Sequence, residues 1–305
     1  MTGSFRDSLP PEFVRNALAL CGETGERWLD DLPGTIEALE RQWSITAGIP
    51  FPNIEYNYVA TAHCDDETSA VLKIGLPLKN TEIYGEARYL QTLKGTGAVR
   101  LLQEDRRRQA ILVERAVPGE NLTNVFHGRE PEAVASAIDL LHLIPQPPPK
   151  NLTDVILLDD WFDGLHRYRE KDFPKTYALK ALEIYDRLSF QSDRTFYLHG
   201  DFHPGNIVSA SRAPYLVIDP KGIVGHLGYE IAVFLNNFHW WQEGKPNIKT
   251  MLSTAVDQFA AAFDFDPLEL RQWAFAGMVL SAWWTFDEMP EIYNNEVVKA
   301  DIWDV

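Results

Sequence analysis

The sequence has few of the features that are typical of secreted proteins, zinc-binding domains or membrane-spanning chains. Only two of its 305 residues are cysteine, Cys21 and Cys64, too few for a disulfide framework or a zinc cluster. That usage suits the reducing cytoplasm, where the glycosylation sequons at Asn121 and Asn151 are coincidental. No segment has the basic head and apolar core of a targeting signal. The apolar stretch at residues 274–286 is too short for a bilayer, so we expect a buried helix there.

Positive charge is also scarce. Lys and Arg number 28 against 44 Asp and Glu, which gives a formal net charge of −16. This balance argues against a nucleic-acid partner and favours a cationic ligand, although a solvated acidic surface commonly produces the same excess. With 45% hydrophobic residues the chain can fill one large or two unequal cores. We expect no membrane or nucleic-acid partner, and a monomer or weak homodimer.

The hydrophobic pattern changes along the chain. Residues 11–47 have helical spacing, with breaks expected at residues 21–22 and 33–34. Between residues 51 and 117 the period falls towards two, which predicts a five-stranded sheet carrying one helix. Helices dominate after residues 118–119. The strand candidates are residues 56–62, 69–74 and 110–114, and the helix candidate is residues 81–93.

The most informative stretch is HGDFHPGN at residues 199–206, followed by YLVID at residues 215–219. It places a carboxylate at Asp201, an amide at Asn206 and a second carboxylate at Asp219, at the end of the next strand. A kinase-type catalytic loop uses its Asp to orient the attacking hydroxyl, and its Asn with a later Asp to hold Mg²⁺ between phosphates. Asp, Asn and Gly alone are ordinary turn residues, but this combination and spacing favour phosphoryl transfer.

The preceding segment contains the other half of such machinery. Lys73 lies in AVLKI, which is typical of the kinase strand whose Lys contacts the ATP phosphates. Glu86, on the following helix, is the candidate partner carboxylate. Either residue alone is more commonly a surface charge, but in this order they predict a charge clamp. The adenine-binding hinge is expected after the strand at residues 110–114, with backbone groups of Glu114 and Ala116 beside the purine.

Glycine is missing where a phosphate-covering loop is expected. The candidate turn between the first two strands, residues 51–58, contains none after Gly48. Close approach of the backbone to phosphate is therefore not assured there. Asn53 and Asn57 tolerate left-handed turns and are the candidates to replace glycine.

HGDFHPGN together with VIDPKGIVG resembles the aminoglycoside phosphotransferases, and within them the streptomycin 6-phosphotransferase and hydroxyurea phosphotransferase group. That group typically shows HGDLHxxNI and VIDPxGxVG. The resemblance extends over nearly the whole chain through LCGETGERWLDDLP, GTGAVRLL, LLHLIP and LSAWW. It implies an α+β, two-lobed protein-kinase-like fold and transfer of the γ-phosphate of ATP, with Mg²⁺, to a hydroxyl of a small molecule such as streptomycin or hydroxyurea.

The resemblance also implies roles for individual residues. Asp201 matches the catalytic Asp, Asn206 and Asp219 the magnesium ligands, Lys73 the phosphate-binding Lys and Glu86 its partner. His199 matches a His that supports the loop. His203 and Lys221 lie near enough to meet phosphate or substrate, with loop packing for His203 and a surface cation for Lys221 as the alternatives. Glu230 departs from the pattern, because relatives commonly place Asp there, and it is either a brace or a substrate residue.

Acceptor recognition is the least determined part. Paired carboxylates would bind guanidinium groups, and the candidates are Asp159 with Asp160, and Asp287 with Glu288. Solvated caps at helix ends are the common alternative for such residues. The neighbouring tryptophans are expected to be core residues.

We therefore divide the chain into a helical extension (residues 1–47), a nucleotide-binding small lobe (48–117) and a helical large lobe with the catalytic loop and acceptor site (118–305). Two alternatives to a resistance kinase remain, a kinase of another small metabolic alcohol or amine, and a nucleotide-binding regulatory protein without turnover. The joint presence of all five motif residues weighs against the second. The choice between ATP and GTP and the identity of the acceptor stay open.

Overall fold

The computed structural model describes residues 5–78, 82–190, 192–290 and 293–305. The chain forms two compact units, Met1–Gly119 and Glu120–Val305, which we call the first unit and the second unit.

The first unit begins with a 3-10 helix, Phe5–Ser8, and a long helix α1, Pro11–Trp43. Gly22, at φ 53° and ψ −134°, kinks α1 at the predicted break. The break predicted at residues 33–34 is wrong, because α1 continues through Pro33. Apolar positions keep one buried face across Pro33, and their burial outweighs the lost backbone hydrogen bond. These positions are Leu29, Leu32, Ile36 and Leu39.

An antiparallel five-stranded sheet follows α1 in the order β1-β2-β3-β5-β4. One helix, α2 (Glu82–Leu93), connects β3 to β4, so the predicted sheet with one helix is confirmed within the described residues. Residue 81, the predicted start of this helix, lies outside them. The strands are β1 (Ile45–Pro50), β2 (Asn57–Cys64), β3 (Ser69–Gly75), β4 (Leu101–Asp105) and β5 (Ala110–Glu114). The buried face of α1 shares a core with this sheet, including Leu32, Tyr58 and Leu72.

The second unit is mainly helical. Its α-helices are α3 (Leu122–Val125), α4 (Glu130–Leu141), α5 (Leu158–Leu165), α6 (Lys175–Leu188), α7 (Leu227–Gln242), α8 (Ile248–Phe263) and α9 (Pro267–Glu288). Among the described residues of this unit, three 3-10 helices accompany them, His166–Glu170, Ser192–Arg194 and Glu296–Trp303.

Two small sheets interrupt the helices. One has the order β10-β9-β6 and the other β7-β11-β8. The strands are β6 (Pro118–Asn121), β7 (Ile156–Leu157), β8 (Thr195–Leu198), β9 (Ile207–Ala210), β10 (Tyr215–Val217) and β11 (Ile223–His226). Because β8 ends at residue 198 and β9 begins at residue 207, the HGDFHPGN motif forms the connection between the two sheets.

Helix α9 forms much of the core of the second unit. Its N-terminus is capped by Asp266, whose side chain accepts a hydrogen bond of 2.8 Å from the Leu268 N–H. Trp273 and Trp283 are fully buried along it, so the buried helix predicted for residues 274–286 is confirmed. In the described part of the chain, no helix combines the length and apolar character needed to cross a membrane.

Candidate active site

Lys73 and Glu86 form a buried ion pair in the first unit. The Lys73 Nζ lies 2.6 Å from Oε1 of Glu86, and the two residues are only 6% and 5% exposed. Lys73 is placed by β3, which pairs with β2 on one side and β5 on the other, and Glu86 by α2. A buried pair of this kind is seldom a net source of stability, since both charges lose their hydration. Its geometry is more readily explained by a need to hold an ammonium group in one place.

The segment after β5 has the features of a backbone recognition site. Glu114 is held from both sides, because its N–H donates to the Arg100 carbonyl at 2.8 Å and its carboxylate accepts from the Arg100 N–H at 3.0 Å. Ala116 is half-buried, and within the described residues its N–H and carbonyl make no hydrogen bond. A half-buried backbone donor and acceptor without partners are available to a ligand.

The turn between β1 and β2 does not use its asparagines as glycine substitutes. Neither Asn53 nor Asn57 has a positive φ, and Asn57 is the first residue of β2. The suggestion that they adopt left-handed turns is therefore wrong.

In the second unit, the HGD loop (residues 199–206) is organised around the buried ring of His199. The Asp201 N–H donates to His199 Nδ1 at 3.2 Å, so the ring proton lies on Nε2, which donates to the Ile218 carbonyl at 2.8 Å. Burial lowers the pKa of His199 to about 4, which keeps the ring neutral. His199 thus links the HGD loop to the segment that precedes Asp219.

Glu230, on α7, supports the same loop from the other side. Its Oε1 accepts from the His199 N–H at 2.7 Å and its Oε2 from the Gly200 N–H at 2.9 Å. The residue is fully buried, and burial raises its pKa to about 8. Gly200 has φ +79°, and a Cβ there would approach Ile223 to 2.9 Å, so this position requires glycine. The placement favours the bracing role of Glu230 over contact with an acceptor.

Asp201 and Asn206 lie together within the HGD loop. The Asn206 Nδ2 donates to the Asp201 carbonyl at 3.0 Å and lies 3.4 Å from its Oδ2. The His203 Nδ1 accepts from the Gly205 N–H at 3.0 Å, and its Nε2 lies 3.9 Å from Asp201 Oδ1. The Asp201 side chain remains about one-third exposed, so the carboxylate can be reached by a ligand.

Asp219 follows β10 with an unusual backbone conformation. Its φ of +58° lies in the left-handed region, which few residues other than glycine adopt. The preceding residue ties it to the HGD loop, because the Ile218 N–H donates to the Asn206 carbonyl at 2.9 Å. Burial lowers the pKa of His203, and the charges of Asp201 and Asp219 both oppose that shift, so the two carboxylates share one electrostatic environment.

The donors in this region fit a magnesium ion. The Asn206 Nδ2 is engaged by Asp201, which leaves its Oδ1 as the atom of the amide that can face a cation. Asp219 adds a carboxylate. The described residues contain no group of three or more His, Cys, Asp or Glu able to enclose a metal. Mg²⁺ commonly takes only one or two carboxylates from the protein and its other oxygens from phosphate and water, so one carboxylate and one amide oxygen could hold it.

A cavity of about 130 Å³ opens beside Asp201 within the second unit, and we call it the Asp201 cavity. Aromatic side chains form much of its wall, with two carboxylates, Asp201 and Glu296, and one lysine, Lys221. Its aromatic members are Trp161, Tyr229, Trp240 and Trp284. Burial raises the pKa of Tyr229, so its hydroxyl stays protonated and can donate.

None of the acidic residues predicted for the acceptor lines this cavity. Asp287 forms ion pairs with Arg167 at 2.6 Å and with Lys171, so its charge is already compensated. Asp159 accepts a hydrogen bond from the Tyr185 hydroxyl, and the Leu157 N–H donates to Asp160 at 3.4 Å in a helix-start contact. Glu288 is exposed at the end of α9.

The expectation that the neighbouring tryptophans are core residues holds for Trp283 and not for Trp284. Trp283 is fully buried, whereas Trp284, one residue later on α9, lines the Asp201 cavity. The sequence did contain a signal for this face. Gly277, Ser281 and Trp284 line the cavity at the spacing of successive helical turns.

The comparisons with known proteins agree with this geometry. A family model described as aminoglycoside/hydroxyurea antibiotic resistance kinase matches residues 43–288. A streptomycin 6-kinase of Streptomyces glaucescens is 26% identical over 296 residues, covering 92% of this chain and 91% of the relative. A hydroxyurea phosphotransferase of Kitasatospora aureofaciens is 27% identical over 314 residues, covering 96% and 85%.

Solved structures give the same answer for the fold. An amicoumacin kinase in complex with AMP-PNP, Ca²⁺ and Ami has a TM-score of 0.62 at 15% identity, covering 93% of this chain and 96% of that one. The predicted α+β, two-lobed protein-kinase-like fold is thereby confirmed. Because the family model matches most of its length, the chain belongs to the aminoglycoside/hydroxyurea antibiotic resistance kinase family and is an ATP-using phosphotransferase acting on a hydroxyl of a small molecule.

Proposed function

We propose that this protein phosphorylates an antibiotic-type acceptor, with streptomycin as the first candidate and hydroxyurea as the second, at a hydroxyl held beside Asp201. The observation that carries the proposal is the Asp201 cavity, where an accessible carboxylate from the HGD loop meets a pocket lined by aromatic and polar side chains. The family relatives named for streptomycin and hydroxyurea support the choice of acceptors.

In the proposed reaction, Asp201 accepts a hydrogen bond from the acceptor hydroxyl and orients its oxygen towards the γ-phosphorus of ATP. The new O–P bond forms while the bond from the γ-phosphorus to the β–γ bridging oxygen breaks, and ADP leaves. The hydroxyl proton passes to the Asp201 carboxylate and then to solvent. Such transfer depends mainly on positioning and on electrostatic stabilisation, which suits a loop braced by Glu230 and His199.

The nucleotide contacts follow from the other charged groups. Lys73, held by Glu86, binds phosphate oxygens, and the backbone of Glu114 to Ala116 meets the adenine edge. Asn206 and Asp219 hold Mg²⁺, which when bound neutralises the charge on the phosphates. An ATP-dependent reaction and two free cysteines, Cys21 and Cys64, suit the cytoplasm.

Two other functions use the same fold. A kinase of a different small alcohol or amine would differ only in the walls of the acceptor pocket. A nucleotide-binding protein without turnover would commonly lack one of the charged motif residues. Here all five are present, with Lys73 paired to Glu86 and Asn206 bonded to Asp201. We therefore favour an active kinase.

The test is an acceptor panel. Purified protein is incubated with ATP, Mg²⁺ and either streptomycin, hydroxyurea or an unrelated aminoglycoside, and products are analysed by mass spectrometry. A phosphate adduct of streptomycin or hydroxyurea, formed with stoichiometric ADP, is the expected result. ADP formation without any phosphorylated acceptor, or nucleotide binding without turnover across the whole panel, would contradict the proposal.

A further inference from the structure

The wall of the Asp201 cavity contains a pair of partly exposed tryptophans from separate helices. Trp161 of α5 and Trp284 of α9 have ring centroids 5.1 Å apart and planes at 82°. Tyr229 supports Trp161 at 5.9 Å, also edge to face. These contacts fix the two indole rings in a corner that lines the cavity. An indole face attracts a cation through its quadrupole, and more strongly where water is excluded.

A carboxylate that has no partner among the described residues lines the same cavity. Within the described residues, the side chain of Glu296 has no hydrogen bond or ion pair. Its backbone begins the 3-10 helix Glu296–Trp303. This helix is anchored by the Trp303 Nε1–H, which donates to Asn236 Oδ1 at 2.9 Å in the core. Glu296 is therefore a half-buried negative charge that is available to a ligand.

The nearby cations do not neutralise Glu296. Lys299 lies one turn further along the same 3-10 helix, but its Nζ is 3.2 Å from Glu243 and 3.6 Å from the centre of the Trp240 ring. Lys299 therefore packs on the ring of Trp240 and not on the rings of the Trp161–Trp284 corner. Lys221, in the connection between β10 and β11, lines the cavity together with Asp201.

We propose that the Trp161–Trp284 corner and Glu296 bind a planar cationic group, of the guanidinium type, on the acceptor whose hydroxyl reaches Asp201. A guanidinium group stacks on aromatic faces and forms two parallel hydrogen bonds with a carboxylate, so both elements of the corner recognise it. A neutral urea of the same shape lacks the charge that each of them requires. The inference rests on the proposed function, because it identifies the Asp201 cavity as the acceptor pocket.

The test compares guanidinoethanol with hydroxyethylurea, two alcohols of equal shape that differ by one charge. Each is titrated into isotopically labelled protein with a non-hydrolysable ATP analogue and Mg²⁺, and binding is followed through the indole N–H signals of Trp161 and Trp284. We expect guanidinoethanol to bind about tenfold or more tightly than the urea. Equal affinities, or no change in either indole signal with guanidinoethanol, would overturn the proposal.

Four variants locate the effect. Glu296→Gln should weaken guanidinoethanol about three- to tenfold and leave the urea unchanged. Asp304→Asn removes an equal charge from the exposed end of the same segment and should change neither. Trp284→Leu should abolish most of the preference for the cation, while Trp284→Phe, which keeps an aromatic face, should retain it. If Glu296→Gln and Asp304→Asn weaken guanidinoethanol equally, the net charge of the protein explains the preference for the cation, and the proposed site is refuted.

The two proposals fail differently. Phosphate transfer to streptomycin without a preference for guanidinoethanol would refute only the cation site. Selective binding of guanidinoethanol without phosphorylation of any acceptor would refute the kinase assignment and leave the cation site standing. Thermal unfolding of each variant checks that it folds. If Trp284→Leu does not fold, the proposal is tested by Glu296→Gln, which should weaken guanidinoethanol, and by Trp284→Phe, which should keep the preference for it.

Discussion

The carboxylate of Glu230 accepts the backbone N–H of His199 at 2.7 Å, while its second oxygen accepts that of Gly200. Two successive N–H groups that precede Asp201 are therefore fixed by one buried side chain from α7. A carboxylate that receives such bonds is stabilised in its charged form, whereas burial acts in the opposite direction and raises its pKa to about 8. Glu230 therefore braces the HGD loop even though relatives commonly place the shorter Asp at this position.

Replacing Glu230 tests its role as a positioning residue. Glu230→Ala leaves two buried N–H groups unsatisfied, which should cost about 1–3 kcal/mol for each in the free energy of unfolding. In protein that remains folded, kcat should fall with little change in KM for ATP, because Asp201 loses its fixed position. Glu230→Asp should recover part of both losses. Urea unfolding and steady-state kinetics measure them, and an Ala variant with unchanged stability would contradict the brace.

The pair formed by Lys73 and Glu86 gives a second prediction. Glu86→Gln leaves the ammonium of Lys73 buried beside a neutral group, so it should destabilise the protein by about 3–5 kcal/mol. The double variant Lys73→Met with Glu86→Leu should recover much of this stability. Because it lacks the ammonium, it should still bind ATP poorly. Calorimetric titration with ATP and urea unfolding separate the two effects. A double variant that binds ATP normally would exclude Lys73 from phosphate binding.

The parts of the site that were predictable lie close together in sequence. Asp201 and Asn206 belong to one loop, and Asp219 follows the next hairpin, so their relation depends on local spacing that a sequence displays directly. Lys73 and Glu86 lie on consecutive elements, β3 and α2. In such cases the order of strand, loop and helix is sufficient to predict which side chains meet.

The walls of the Asp201 cavity were not predictable in this way. Trp161, Tyr229, Trp284 and Glu296 come from four separate elements, and only the packing of these elements brings them together. The sequence instead pointed to acidic residues near helix ends as the groups that contact the acceptor. Asp287, however, pairs with Arg167, which lies 120 positions earlier, and nothing in the local sequence indicates that contact. The same limit explains α1, where burial of Leu32 and Ile36 outweighs the local tendency of Pro33 to end a helix.

Asp201→Asn tests the proposed base directly. The amide keeps the size of the side chain but cannot take the hydroxyl proton, so kcat should fall by about 10²-fold or more while nucleotide affinity changes little. Turnover is measured with the acceptor identified by the panel, and nucleotide affinity by calorimetry. A loss confined to nucleotide affinity would instead place Asp201 among the metal ligands.

Asp219→Ala tests the magnesium site. Without this carboxylate, Mg²⁺ should no longer strengthen nucleotide binding, and phosphate transfer should be lost at ordinary Mg²⁺ concentrations. The informative comparison is the ATP affinity with and without Mg²⁺ for the variant and the wild type. Since Asp219 has a positive φ, Asp219→Asn is the better tolerated companion, because Asn also adopts the left-handed region. Undiminished Mg²⁺-dependent transfer by either folded variant would remove Asp219 from the proposed ligands.

The neutral ring of His199 predicts how stability depends on pH. Burial lowers the pKa of His199 from 6.5 to about 4, so between these values the unfolded chain binds a proton that the folded chain does not. The free energy of unfolding should therefore decrease as the pH falls from about 6.5 towards 4, by about 2 kcal/mol at about pH 5 from this group. Glu230 acts in the opposite sense, because its pKa is raised from 4.5 to about 8, and its contribution to the free energy of unfolding falls as the pH rises between these values.

The His199 contribution is isolated as the difference in pH dependence between the wild type and a His199→Gln variant, measured by urea unfolding at about pH 7 and about pH 5. His127→Gln, which removes an exposed histidine, should follow the wild type. If His199→Gln shows the same loss of stability on acidification as the wild type, the ring is not held neutral between Asp201 and Ile218.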